Sequence, residues 1–284
     1  MTTIEAISIL NKVFKTKKWT EADLDEFVFD NFCVLLDNLN ESQRSLVVEL
    51  IERYCWISLS EYPERILKAL EYVEDEKLNQ LKTVYLFPIV KPKDEGKFKS
   101  AQFLMYQIKV FKRHLKKYTH IKFKFISKFK DLTTPSFSIK EGEALFLIDD
   151  YIGSGETFEE CITEIKKNKN ITNERINTVT IACQADTLDL LKEDGISCYT
   201  DFQSEKGISD SKPSSLVQEK IDIMLEIEKL IPGGSHVSLG YKESEALITL
   251  ARTPDNTFPI FWKTYRVGMQ KYDAPFSREE TVEL

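Results

Sequence analysis

Asp149 and Asp150 stand side by side after the apolar run 144–148, ahead of Gly153, Ser154 and Gly155. Thr157 then opens an amphipathic stretch bearing Phe158, Cys161, Ile162 and Ile165. Glycines let backbone N–H groups turn toward one point, the Ser154 and Thr157 hydroxyls add donors, and a helix start adds partial positive charge. This is a cradle for a phosphate monoester. Two carboxylates directly before it would repel a bound dianion unless they face another part of the ligand, and the groups they suit are hydroxyls. A sugar with its 5′-phosphate in the loop and its 2′ and 3′ hydroxyls on Asp149 and Asp150 satisfies both halves. Other phosphate and nucleophile loops fail on specific residues: no Lys follows Gly155 as a Walker A loop needs, GSGETF lacks the spacing of a dinucleotide fingerprint, and there is no GxSxG. The competing reading is a generic strand-to-helix turn with solvated acids.

The acid pair before a hydroxyl-bearing glycine loop at a strand end resembles the binding loop of type I phosphoribosyltransferases. The resemblance implies that Asp149 and Asp150 are the catalytic pair on the ribose hydroxyls. It assigns Gly153, Ser154, Gly155, Glu156 and Thr157 to the 5′-phosphate. Gly153 stands where such proteins commonly carry Thr, which removes one hydroxyl and leaves the backbone cradle. A second loop should then hold the pyrophosphate of phosphoribosyl pyrophosphate. VKPKDEGKFKSAQ, residues 90–102, stands in that place and offers Lys97, Lys99 and Ser100, the competing reading being a solvated lysine loop. The implied cofactor is Mg²⁺ bound mainly through the substrate, with no metal ligand from the protein alone. SEKGISD (204–210) and GYKESEALITLARTPDNTFPIFW (240–262), taken with the loop, resemble phosphoribosyltransferase-like proteins of bacterial conflict and antiviral gene clusters. That resemblance implies transfer of a phosphoribosyl group to an unidentified acceptor, in an effector role with a defence-cluster partner docked on residues 1–78. The alternative is a non-catalytic sensor of phosphoribosyl pyrophosphate or a nucleotide.

These residues need a strand and a helix on either side, and the pattern supplies them. From about residue 80, apolar runs (TVYLFPIV, IKFKFI, EALFLI, INTVTIA, ISCYT) alternate with helical stretches near 100–117, 157–167 and 185–193, and a long helix follows at 214–230. Alternation of this kind predicts an α/β fold, a mostly parallel sheet flanked by helices. Residues 1–78 read as an all-helical extension, with helix caps at Thr20/Asp23 and Asn40/Gln43 and core stripes Leu46, Val47, Leu50, Ile51 and Ile66, Leu67, Leu70, Val73. The domain boundaries are therefore 1–78 and 79–284, the second closing with ALITL and FPIFW as strands. Asn256, Phe258, Trp262, Tyr241 and His236 read as structural.

Composition narrows the function classes. With 284 residues, 42% apolar and 30% charged, the chain is long and apolar enough for a sizeable core. Its longest apolar run, residues 84–90 with Pro88 inside, falls far short of the roughly 18 residues a membrane span needs. No membrane partner is expected. Five dispersed cysteines without CxxC and a start lacking a signal-peptide pattern predict reduced thiols in the cytoplasm. A net charge of −7 does not support a nucleic-acid partner overall, although eight basic residues and no acidic one lie between Lys112 and Lys130. In IKFKF the alternation describes a strand with Ile121, Phe123 and Phe125 inward and lysines outward.

Overall fold

The computed structural model describes residues 1–19 and 26–278. In chain order its helices are α1 (Thr3–Thr16), α2 (Glu26–Asn38), α3 (Glu41–Arg53), α4 (Tyr62–Glu71), α5 (Asp75–Gln80), α6 (Ser100–Phe111), α7 (Phe129–Thr133), α8 (Glu156–Ile165), α9 (Ala185–Glu193) and α10 (Val217–Glu228). Its strands are β1 (Cys55–Trp56), β2 (Thr83–Pro88), β3 (Lys122–Phe125), β4 (Glu143–Ile152), β5 (Ile176–Gln184), β6 (Ser197–Ser204), β7 (Ile248–Thr249), β8 (Tyr265–Val267) and β9 (Gln270–Tyr272). Two compact units divide the chain: Ser60–Gln203, and Met1–Leu59 together with Ser204–Leu284. The units are thus distributed otherwise than a boundary at residue 78. Helices α4 and α5 lie with the sheet, and the last third of the chain lies with α1–α3.

The first unit holds the sheet, predicted as mostly parallel and found all-parallel, in the order β3-β2-β4-β5-β6. Every residue of β2 and β5 is buried, the mark of central strands covered on both faces. Alternation sorts the faces. Tyr85, Phe87, Leu145 and Leu147 pack with Phe129 and Leu132 of α7 and Phe158, Cys161 and Ile165 of α8. The intervening side chains point to the opposite face. There, α4 starts at Tyr62 with Pro63 in its first turn and is tied to β6 by Asp201, which takes Arg65 Nη1 at 2.8 Å and Lys68 Nζ at 2.6 Å.

Two sequence expectations in this unit need correction. The helix expected over 100–117 ends at Phe111 and continues as two short 3₁₀ turns, Lys112–His114 and Lys116–Tyr118. Like charges four apart, Lys112 with Lys116 and Arg113 with Lys117, work against α-helical continuation. Ile121, just before β3, is buried, but Phe123 is half-buried and Phe125 is 39% exposed, because β3 is the sheet's edge and, among the described residues, has a neighbouring strand on one side alone.

The second unit joins the two chain ends through one core. Residues 1–78 are not all helix: β1 pairs in parallel with β7, Cys55 opposite Ile248 and Trp56 opposite Thr249. Around that pair Trp19, Phe32, Tyr54, Trp56, Phe261 and Phe276 pack edge-on or stacked at centroid distances of 5.0–6.4 Å. The Asn40/Gln43 cap is present as a reciprocal capping box, with bonds of 3.0 and 3.1 Å. The Thr20/Asp23 cap lies outside the described residues. ALITL yields the two-residue β7 alone. FPIFW is a 3₁₀ turn, Pro259–Phe261, because Pro259 has no N–H to give a ladder.

SEKGISD and the stretch around Glu245 are each other's partners. Glu245 is buried, and its carboxylate accepts the N–H groups of Ile208 and Ser209, both at 2.8 Å, and the Ser209 hydroxyl at 2.5 Å. Glu245→Ala strands three donors in the interior. The expected loss is about 3 kcal/mol of unfolding free energy for this unit, read as a lower urea midpoint at unchanged m-value. His236 Nδ1 donates to Gly233 O at 3.1 Å within its own turn, Asn256 Nδ2 donates to Ser244 at 3.0 Å and Trp262 Nε1 to Thr257 O at 2.9 Å, so all three serve local structure.

Candidate functional site

The strand order fixes where a ligand crevice opens. From β2 the chain crosses to β3 on one side and returns to β4 on the other, so its direction along the sheet reverses between β2 and β4. Ligands of open α/β sheets bind at the carboxyl ends of the strands at such a reversal. Here β2 ends at Pro88 opposite Ile148, and Ile89 gives a last N–H bond of 2.8 Å to Ile148 O. β4 runs on, still paired with β5 through Asp149–Thr180, Tyr151–Ala182 and Ile152–Cys183. The acid pair therefore stands on a strand segment with a neighbour on its β5 side and an open edge above β2.

Asp150 faces α4 and α6. Its Oδ2 accepts the Tyr62 hydroxyl at 2.9 Å and its Oδ1 the Ser100 hydroxyl at 2.7 Å, so both oxygens of one acid hold an O–H group. Tyr62 is 1% exposed, whereas Ser100 is exposed at the first residue of α6. Asp149, one residue earlier on the strand, points first to the other face and turns back, its Oδ1 accepting the Asp150 N–H at 2.9 Å. Burial, and after it the charge of Asp150, push the Asp149 carboxyl well above the ordinary carboxylate range.

The glycine loop follows at once. Gly153 is buried and its carbonyl takes the Thr187 hydroxyl at 2.5 Å. Gly155 caps α8 at φ +78°, and a Cβ there would lie 3.3 Å from Thr187 Cγ2. The first-turn N–H groups of α8 have no carbonyl within the helix to meet. The half-buried hydroxyls of Ser154 and Thr157 have no hydrogen-bond partner among the described residues. Glu156 and Glu160 would set two negative charges at this helix start, but Lys91, from the segment after β2, sits against both, 2.8 Å from Glu160 Oε1. These contacts, first with Glu156 and then with Glu160, raise the Lys91 pKa and keep it charged.

The second predicted loop divides. Ser100 joins the acid pair, while Lys97 and Lys99 gather on Asp94 at 2.8 and 3.6 Å. The hydrogen bond from Lys97 is the first cause of the lowered Asp94 pKa. Sequence reasoning missed Tyr62 and Thr187, and it placed Lys91 only among the basic residues of the loop. Neither Tyr62 nor Thr187 lies in a motif; each arrives through helix packing at a distance of 88 or 34 residues from its partner.

With this geometry in hand, comparison with known families is decisive, since the PRTase-CE family model matches residues 2–278. The chain belongs to the PRTase-CE family. The match spans both compact units, so membership attaches to nearly the whole chain, and it makes the protein phosphoribosyltransferase-like, with which the parallel sheet is consistent. Comparison with curated proteins finds no match. Among the described residues of this PRTase-CE protein, no three His, Cys, Asp or Glu side chains gather to hold a metal ion, and no helix is long and apolar enough to cross a membrane.

The raised Asp149 pKa has a consequence for stability. A carboxyl that binds its proton more tightly folded than unfolded adds stability that is complete below its unfolded pKa. That stability is lost as pH rises through the folded value. The sheet unit should therefore lose stability from the ordinary carboxylate range upward until Asp149 is ionised. Asp149→Asn removes this dependence: its melting temperature at pH 8 is expected to rise by roughly 2 °C or more over the parent, with a flatter pH profile. A lower melting temperature at pH 8 would contradict the assignment.

Proposed function

We propose that this protein binds phosphoribosyl pyrophosphate across the carboxyl ends of β2 and β4 and transfers the phosphoribosyl group to an acceptor. The observation that carries the reading is the junction at the end of β4: Asp149 and Asp150 at the open edge, followed without a break by a glycine loop with two unengaged hydroxyls and a helix start. The 5′-phosphate is received by the loop from Gly153 to Thr157, including the backbone of Glu156, whose charge Lys91 offsets. The ribose hydroxyls are received by Asp149 and Asp150. Lys97 and Lys99, which Asp94 already holds as a pair, supply cations for the pyrophosphate.

The bond between C1 of the ribose and the pyrophosphate oxygen breaks, a nitrogen nucleophile forms the new bond to C1, and its proton leaves to solvent or pyrophosphate. Positive charge develops on the ring in the transition state, and the two carboxylates favour it while fixing the sugar's position. Asp149 and Asp150 would lie beside a Mg²⁺ brought in with the substrate, which would supply neutralisation of the leaving group. The Tyr62 and Ser100 hydroxyls stand on Asp150 where sugar hydroxyls would stand. Ser100, at the exposed start of α6, yields its place to the sugar, and Tyr62, buried, stays and aims the carboxylate.

Calorimetric titration with phosphoribosyl pyrophosphate and Mg²⁺, then a pyrophosphate-release screen over bases, amines and nucleic acids, tests the reading. Absence of binding to phosphoribosyl pyrophosphate and to ribose 5-phosphate overturns it. Binding without consumption of any kind reassigns the protein as a sensor. Two variants are expected to move ribose 5-phosphate affinity in opposite directions, each by a factor of about 2–10. Ser100→Ala tightens binding because no hydroxyl must be displaced, and Tyr62→Phe weakens it. The effector role in a bacterial defence cluster, with a partner on the helical N-terminal part and a cytoplasmic site of action, is part of the same proposal. Its support is the sequence resemblance, and a reverse transcriptase, nuclease or ATPase gene beside this one would be its expected companion.

A further inference from the structure

Residues 106–130 carry nine lysines and arginines and no acidic residue, so in a chain of net charge −7 all the other residues together sum to −16. The fold gathers this basic segment at one edge of the sheet, on α6, the two 3₁₀ turns after it and β3. Strand β3 bonds to β2 and, among the described residues, has no strand on its other side. Its alternation sends Phe123 and Phe125 toward α6, where Lys112 Nζ lies 5.0 Å over the Phe123 ring and Lys109 Nζ 6.0 Å over the Phe125 ring. On α6, Tyr106, Lys109 and Val110 fall three and four apart on one stripe, and Arg113 follows in the first 3₁₀ turn. Tyr106 is 63% exposed, Val110 45% and Phe125 39%.

Some of the charge is already used. Asp75 pairs with Lys117 at 2.9 Å, and Lys124 rests on the Tyr85 hydroxyl, which itself donates to Glu143. Lys109, Arg113, Lys116 and Lys122 have no carboxylate partner among the described residues. What remains is a strip of free cations with aromatic ring faces between them, on a molecule otherwise strongly negative.

We propose that this edge, α6 with β3, binds single-stranded nucleic acid. Free lysines and arginines beside open rings match a strand that offers phosphates and unstacked bases together, the phosphates releasing counterions and the bases stacking on Tyr106 and Phe125. A duplex hides its base faces and leaves the rings without a role. A second copy of this chain is disfavoured, because edge-to-edge pairing sets Lys122 and Lys124 against their own counterparts. The excess negative charge elsewhere repels a polyanion and so confines it to this edge. The inference does not depend on the reading of the Asp149–Asp150 site.

The test is fluorescence anisotropy of the full chain with labelled oligothymidine and oligouridine, a duplex of equal length and inorganic polyphosphate, over about 50–300 mM salt. Single strands are expected to bind best, with affinity falling linearly on a log–log plot against salt. Replacing Lys109, Arg113 and Lys116 by Gln should make that slope shallower by about 2. Tyr106→Ala with Phe125→Ala should weaken single-strand binding roughly tenfold or more with the slope unchanged. Melting curves of both variants serve as the folding control. The proposal is overturned by no salt-dependent binding in the parent protein, by a slope the triple variant leaves unchanged, or by duplex and polyphosphate binding as well as single strands. A dimer in sedimentation that Phe125→Ala dissociates would overturn it in favour of a second copy.

Discussion

Replacing Asp150 by Asn should cost the proposed phosphoribosyl transfer roughly 10²–10³-fold or more in turnover, while the melting temperature stays within a few degrees of the parent. The carboxylate is held from both sides, by Tyr62 at 2.9 Å and Ser100 at 2.7 Å, and both partners donate to it. Asparagine keeps the shape and one acceptor but turns an NH₂ toward a hydroxyl that can rotate to accept it. The structural penalty is therefore modest. The chemical penalty is not, because the substitution removes a negative charge from beside a sugar ring that becomes positive in the transition state, in a half-buried setting where charge is weakly screened. Pyrophosphate release reads the first effect and thermal unfolding the second. Full turnover in this variant would remove Asp150 from the mechanism.

The second large effect is expected from Gly155→Val. Gly155 sits at φ +78°, ψ −10°, a conformation that a β-branched residue adopts only under strain. Its new side chain would also press on Thr187, whose hydroxyl holds Gly153 O. The inexpensive escape is a flip of the loop peptides, which turns N–H groups out of the cradle and breaks the Thr187 contact. Ribose 5-phosphate affinity should fall by roughly a hundredfold in calorimetry, since the N–H bonds to a doubly charged group are worth more than neutral ones. Gly155→Ala should fall between parent and Val. Unchanged phosphate affinity in Gly155→Val would mean that the anion is held elsewhere.

The candidate site was legible in the sequence where its parts are contiguous. The order Asp149, Asp150, Gly153, Ser154, Gly155, Thr157 is itself the geometry, because a strand end, a tight turn and a helix start leave the backbone few arrangements. Lys97 and Lys99 were found by type and by place, yet the structure gives them to Asp94, since a carboxylate three residues from Lys97 is met before any ligand arrives. The sheet was legible from apolar runs alternating with helical periods. Its edges were less so: IKFKF has the pattern of a half-buried strand whether or not anything covers Phe125.

Local chemistry along the chain thus determined the α/β class, the strand-to-helix glycine loop and the acids before it, because each depends on residues within about ten positions of one another. Three things were decided by tertiary structure alone. Tyr62 and Thr187 reach the site because α4 and α9 pack where the sheet's strand order puts them. The open edge beside the acids exists because β2 ends at Pro88, opposite Ile148, while β4 goes on. Residues Met1–Leu59 share a core with Ser204–Leu284 because a two-residue strand, Cys55–Trp56, finds its partner only at Ile248–Thr249. Contacts across such separations follow from how whole elements bury their apolar faces against each other, and no spacing between neighbouring residues encodes that choice.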